Sequence, residues 1–419
     1  MLTLLGRPLV AVGFAVAVLA FASPSMATDP AIETAPPYED LIVRLDALPS
    51  TLEADAVYDA AAARADQARA LPNPSIAYDR ENVYGTGPYN GTGNGETTLS
   101  INQPLELFGQ RSARIQAARS EANAAGLRRV QTRWQVAGRL ALAYAEAEAA
   151  ARRHDLAAEA LALTEQDARG VAAMVEQGRE ATLRGVQAQS EVEAARAALD
   201  EARALRDGAF ARLSAIAMLD RPVQAIAASL LDRAPSVTGA GADDPLAVQV
   251  AEAELETASR LVTVERRRAL PDVSAAVGMR RFRETGDEAF TIGVELTVPL
   301  FDRNRGGIRA AYAEQRAAEA RLIAQKQETQ AERLAAEAAL AASNSRTRAA
   351  DSGVAAAEEA YRLSRIGFEA GRISQLELRS TRSALIASRN AAVDARIARV
   401  LAEIDLARLE GRAPFGESR

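Results

Sequence analysis

Between Glu96 and Ala118 the chain changes its periodicity once and then keeps the new one. Leu99, Ile101 and Gln103 alternate with Thr98, Ser100 and Asn102, the period of a strand. Pro104 interrupts the alternation, and a helical pattern follows for many turns. The same events recur at Glu288–Ala311: Phe290, Ile292, Val294, Leu296 and Val298 share one strand face, Pro299-Leu300 breaks the run, and a long helix begins. A strand feeding a very long helix is used twice.

The rest of the chain fits around these two stretches. Tyr38–Leu48 reads as a short helix, and Thr51–Leu71 as an Ala-rich helix ended by Leu71-Pro72-Asn73-Pro74, because proline pushes the residue before it out of helical geometry. A strand over Ser75–Asn82, a glycine-rich loop over Val83–Gly95 and a strand over Glu96–Gln103 follow. Helices then run from about Ala113 to Gly170 and from about Ala181 to Ala217, separated by a break over Gly170–Gly178. Arg221–Asp244, with Pro222, Pro235, Gly239 and Gly241, is an irregular connector.

After a helix over Pro245–Arg268 the order repeats. Ala269-Leu270-Pro271-Asp272 echoes Ala70-Leu71-Pro72-Asn73. Strands are expected over Val273–Arg283 and Glu288–Val298, and helices over about Ile308–Ile366 and Ser374–Leu409, with a break at Gly367–Gly371. Ile115 falls on Ile308, Gly178-Arg179 on Gly371-Arg372, Leu183 on Leu376 and Arg196 on Arg389, all at one offset. This is an internal duplication of a helix–strand–strand–long-helix–long-helix unit. The expected divisions are a signal peptide at 1–27, a leader at 28–50, the first repeat at 51–220, the connector at 221–244, the second repeat at 245–410 and a C-terminal tail at 411–419. Late in the chain Ile386, Val393 and Val400 recur every seven residues, with Ile397 and Ile404 between, as in a coiled-coil seam.

Composition sharpens this picture. Of the 419 residues 48% are hydrophobic, but much of that is alanine, and only 4% are aromatic. Such a chain packs slender helices closely rather than building a thick core. The net charge of −6 gives no support for nucleic-acid binding, and the absence of cysteine excludes disulfides, thiolate metal sites and an N-terminal lipid-modified cysteine. No phosphate loop, His-based metal motif or nucleophile elbow is present, so no enzyme activity, cofactor or metal site is expected. The single His154 sits in a polar helical stretch and reads as a surface residue, and Met26, Met174, Met218 and Met279 are scattered.

Met1–Ala27 reads as a secretory signal, with Arg7, an apolar run over Leu9–Ala22 and a Ser25-Met26-Ala27 cleavage site; the competing reading is a membrane anchor. No later segment reaches the ~20 apolar residues of a spanning helix. An exported chain without such helices can span a membrane only with strands. Four strands of spanning length cannot close a barrel, for which about eight is the practical minimum, so several protomers would have to share one. A small soluble sheet capping a helical bundle is the alternative. The Ile308–Ile366 helix would be on the order of 90 Å long, a length that suits a tube or stalk. Pro104 and Pro299 would then mark the membrane–periplasm boundary, with Arg111, Arg114, Arg303, Arg305 and Arg309 at the height of lipid headgroups, or simply solvated.

LPNPSIAYDREN, INQPLELFGQRSARIQAA, VPLFDRNRGGIRAA and FEAGRISQLELRSTRSALIASR resemble the TolC-like outer membrane efflux protein family, and the LPNP and QPLELFG forms are most similar to its CzcC-like heavy-metal branch. The resemblance covers about Tyr38 to Leu409. It implies a homotrimer in the outer membrane of a Gram-negative bacterium, with a twelve-stranded β-barrel continued by a periplasmic α-helical barrel, and the connector and C-terminal regions in an equatorial belt. It also implies a passive exit duct, served by a periplasmic adaptor and an inner-membrane proton-driven pump of the resistance–nodulation–division class. Adaptor docking would fall on the helical tips, Gly178, Arg179, Gly371 and Arg372. The family's paired acidic entrance residues correspond to Glu377 and, in place of the second, Ser380, so only a Glu377 ring is implied. A drug-efflux or type I secretion duct of the same fold, and a periplasmic coiled-coil adaptor, are the alternatives.

Overall fold

The computed structural model describes residues 33–234 and 245–415. The expected signal peptide, the start of the leader, the second part of the connector and the last four residues lie outside the described residues.

In chain order the elements are β1 (Thr34–Ala35), α1 (Tyr38–Val43), α2 (Pro49–Gln67), β2 (Ser75–Glu81), β3 (Glu96–Leu105), α3 (Gln110–Glu176) and α4 (Thr182–Ile216). After them come β4 (Ala225–Ile226), α5 (Leu246–Arg268), β5 (Asp272–Phe282), β6 (Glu288–Thr297), α6 (Arg305–Glu369) and α7 (Gln375–Leu409). The duplicated unit is visible as α2-β2-β3-α3-α4 and α5-β5-β6-α6-α7.

At 67 and 65 residues, α3 and α6 are each about 100 Å long, given 1.5 Å of rise per residue. They are longer than expected because the breaks at Gly170 and Gly367 do not occur; both glycines lie within helix. A helical glycine costs only about 1 kcal/mol relative to alanine, which a long packed helix absorbs. The chain reverses instead at Gly178 and Gly371, whose φ values of 68° and 67° are left-handed.

One large core lies at mid-height. It gathers Tyr38, Leu41, Leu45 and Leu48 with Val136–Ala149 of α3, Phe210 and Leu213 of α4, Leu230 and Leu231 of the connector, and Val393, Val400 and Ile404 of α7. Three of the five seam residues are therefore core residues. Tyr38 packs edge-on against Tyr144 and Phe415, at 6.2 and 6.0 Å between ring centroids. The leader and the start of the tail are thus anchored rather than loose, and β1 pairs in parallel with β4 of the connector. Burial pushes the Tyr38 and Tyr144 phenols up, the latter to about 12. Their hydroxyls donate to the carbonyls of Ala137 and Ala228.

The four longer strands form one antiparallel sheet in the order β2-β3-β5-β6, so the β3–β5 pairing joins the two repeats. Pro104 does not end β3: it sits opposite Ser274, with Leu105 opposite Val273 beyond it. The β2 partner has already stopped, its last pair being Ser75–Asn102, so one side of β3 is open at Pro104. An open side is where a strand tolerates a residue without an N–H. Pro299, by contrast, follows the end of β6 at Thr297.

Candidate functional site

The sheet register sorts its side chains into two unlike faces. In-register neighbours share a face, so Ile76, Ile101, Val277 and Ile292 form one row and Tyr78, Leu99, Met279 and Phe290 the next. Val294 and Leu296 continue the same face, and nothing among the described residues covers it: Phe290, Ile292 and Val294 are 84%, 86% and 75% exposed. A contiguous apolar patch of this kind marks a surface built for a non-aqueous neighbour. The opposite face carries Asp79, Glu81, Glu96, Thr98, Ser100, Asn102, Asp272, Arg280 and Glu295. Alternation of apolar and polar residues along spanning-length strands is the pattern of an outer-membrane sheet. Among the described residues, strands β2 and β6 leave both edges of the sheet unpaired.

Among the described residues no helix is long and apolar enough to cross a membrane, and no group of acidic or histidine side chains is placed to hold a metal ion.

The boundary arginines divide into two groups. Arg111 donates to the carbonyl of Arg69, and Arg114 to those of Ala68 and Ala70 and to the carboxylate of Glu106. These two guanidinium groups therefore satisfy the carbonyls of the turn that follows α2, a favourable place for a cation. Arg303 and Arg305, and Arg309 one turn on, are exposed. Asn304, in left-handed geometry at the start of α6, donates to the carbonyl and carboxylate of Glu265.

The two helical tips are built alike. The N–H of Gly178 donates to Val175 O and that of Arg179 to Met174 O, at 3.0 and 2.8 Å. Gly371 and Arg372 donate to Phe368 O and Gly367 O, at 2.9 and 2.8 Å. Each tip is a Schellman motif, in which left-handed glycine lets two N–H groups turn back onto the helix carbonyls. Gly178, Arg179, Gly371 and Arg372 are all exposed. Past the second tip, Ser374 caps α7, its hydroxyl oxygen accepting from the N–H of Glu377 at 3.3 Å. Glu377 is exposed in the first turn of α7, where a carboxylate favours the helix start.

Two features near these elements escaped the sequence. Just above the tips Arg382 is buried, and its guanidinium holds Asp167 of α3 and, at 3.0 Å, Glu191 of α4. Arg379 also reaches Glu191, at 2.6 Å. Burial raises the Asp167 pKa, and Arg382 opposes that shift. The available signal was Arg382 lying between Leu378 and Leu385 on one helix face. In the core, Glu148 is buried within the alanine run of α3. Its carboxylate accepts from Ser229 Oγ and from the N–H groups of Leu230 and Leu231, at 2.6, 2.8 and 3.1 Å, and pairs with Arg152. His154 is mostly covered, with 21% of its side chain exposed, and lies within 3.4 Å of Arg206, rather than being a free surface residue.

An unclosed sheet with one apolar exposed face, set on helical hairpins about 100 Å long, defines a protein that crosses a membrane with strands and extends far from it. The outer membrane efflux protein family model matches residues 45–217 and 244–412, once for each repeat. The chain belongs to that family. It is 40% identical over 388 residues to the nickel-cobalt-cadmium resistance protein NccC of Alcaligenes xylosoxydans xylosoxydans, covering 92% of this chain and 89% of the relative. With the nickel and cobalt resistance protein CnrC of Cupriavidus metallidurans it shares 41% identity over 298 residues, 70% of this chain and 71% of the relative. The cobalt-zinc-cadmium resistance protein CzcC of the same organism is 28% identical over 318 residues, 74% of each chain. A solved structure of CusC superposes with a TM-score of 0.78 at 18% identity, covering 92% of this chain and 96% of that one. The protein is thus an outer-membrane efflux component of the TolC-like class, similar to the heavy-metal resistance members, with a large helical part on the periplasmic side.

Proposed function

We propose that this protein is the outer-membrane exit duct of a tripartite system that expels divalent transition-metal cations such as nickel, cobalt and cadmium. Three copies close a twelve-stranded barrel through the open β2 and β6 edges, and their α-helical hairpins continue it as a periplasmic tube. A periplasmic adaptor docks at the tips, around Gly178, Arg179, Gly371 and Arg372, and a proton-driven inner-membrane pump of the resistance–nodulation–division class supplies the energy. Conduction through the duct is passive, and no metal ligand set is required of it. Glu377 would form a ring of three carboxylates at the entrance, and the exposed Arg303 and Arg305 would meet lipid phosphates.

The observation that carries this reading is the uncovered apolar face of a four-stranded sheet whose two edges are free. A sheet in lipid cannot leave its edges unpaired. The names of the 40% and 41% identical relatives supply the cargo class. Deleting the gene and measuring survival on nickel, cobalt and cadmium, against a panel of organic toxicants, tests it. Metal tolerance is expected to fall and to return with the intact gene. Unchanged metal tolerance with lost tolerance to organic compounds would overturn the cargo assignment.

A further inference from the structure

The polar face of the sheet carries five carboxylates, Asp79, Glu81, Glu96, Asp272 and Glu295, and a single cationic side chain, Arg280. Glu81 and Glu96 sit directly opposite each other across β2 and β3. Residues so paired have Cβ atoms about 5 Å apart, and two like charges there repel. Left alone, such a carboxylate pair offers oxygen ligands to a divalent cation. Arg280 projects from β5 into this pair. Its Nη1 donates to Glu96 at 2.9 Å, its Nη2 lies 3.1 Å from Glu81, and its Nε donates to Thr98 Oγ1 at 3.1 Å. One guanidinium therefore occupies both carboxylates and bridges β2, β3 and β5, strands drawn from both repeats.

A duct for cations faces two opposed requirements. Its wall must favour positive charge, yet conduction demands that no site hold the ion too tightly to leave. Where the wall is acidic and the cargo is divalent, an unoccupied carboxylate pair is a trap. We infer that Arg280 is a specificity-determining residue of the exit: it masks the Glu81–Glu96 pair so that the acidic lumen attracts divalent cations without retaining them. Asp79, Asp272 and Glu295 on the same face keep the wall negative. The inference rests on the duct reading, since only a conducting barrel makes this face a lumen.

The test is the current carried by the full-length protein, purified from outer membranes and inserted in planar lipid bilayers, with nickel chloride as the probe. Arg280→Gln is expected to lower the nickel concentration that half-blocks a potassium current by about tenfold, because the freed pair gains oxygen ligands. Arg280→Lys keeps the positive charge against both carboxylates and should stay near wild type. Arg280→Gln combined with Glu96→Gln should lose the added block. Equal nickel block in wild type and Arg280→Gln, or a block that survives in the double variant, would overturn the inference while leaving the duct intact. A wild-type protein that carries no current would bring down the duct reading itself, and this inference with it.

Discussion

Replacing Glu148 by alanine isolates what holds the connector to the helices. The Glu148 carboxylate is buried and accepts from the N–H groups of Leu230 and Leu231 and the hydroxyl of Ser229. Leu230 and Leu231 are core residues, so their amides have no water to turn to. An orphaned buried donor costs about 1–3 kcal/mol, so two such amides together lose about 2–6 kcal/mol, with about 3 kcal/mol expected where water partly re-enters. Arg152 is less affected, because it keeps its contact with Asp232 at 2.5 Å. The cost falls on local opening of residues 228–232. At 1.4 kcal/mol per factor of ten, the amide hydrogens of Leu230 and Leu231 should exchange about a hundredfold faster. Hydrogen exchange read by mass spectrometry on peptides covering 225–234 measures this directly. Glu148→Gln retains one carbonyl acceptor and should fall between the two. If both amides keep wild-type protection in Glu148→Ala, the carboxylate is not what anchors the connector.

Other expectations are as concrete. Ile292→Arg places a charge in the middle of the uncovered apolar face and should cost about 2–4 kcal/mol of barrel stability; the yield of assembled protein in the outer-membrane fraction should drop, while Thr291→Asn, on the polar face, should leave it unchanged. Gly371→Ala forces a side chain into left-handed geometry at a tip where a Cβ would touch nothing, so its cost of about 1 kcal/mol is purely conformational; faster exchange of the Arg372 amide should report it, and Gly371→Asn should recover much of the loss. Hydrogen bonding from Arg152 holds the Asp232 pKa below its ordinary value of 3.8. A depressed folded-state pKa means stability that is fully present above the ordinary carboxylate value and is lost as pH falls through the lower, folded-state one. Asp232→Asn should therefore flatten the acid limb of thermal stability measured between about pH 5 and pH 2, and an unchanged limb would rule out the tie.

Local pattern revealed much of this molecule, and the failures have physical causes. The strands were legible because a spanning sheet with unlike faces writes strict alternation into Phe290–Val298. The tips were legible as Gly-Arg pairs at matching positions of the repeats. Gly170 and Gly367 misled because a glycine breaks a helix only where the chain needs positive φ, which arises at Gly178 and Gly371. Pro104 misled because its tolerance depends on where the β2 partner stops, at Ser75, far back in the chain. Arg111 and Arg114 read as lipid contacts or as solvated residues, and the carbonyls they satisfy, 42 and 46 residues away, were beyond the reach of local pattern. Arg382 found its partner across 215 residues, a distance no local pattern spans. In each case the missing information was a tertiary neighbour, not a propensity.

The central claim is that the apolar face of the sheet meets lipid and its other face meets water. The chain has no cysteine, so single cysteines can be placed along β6 without background. Spin labels at positions 290 to 295 in the protein reconstituted in lipid would report oxygen accessibility against that of a water-soluble relaxation agent. Strict alternation is expected: high oxygen accessibility at 290, 292 and 294, and high aqueous accessibility at 291, 293 and 295. Uniform aqueous accessibility at all six positions would contradict it and would return the sheet to the soluble side of the membrane.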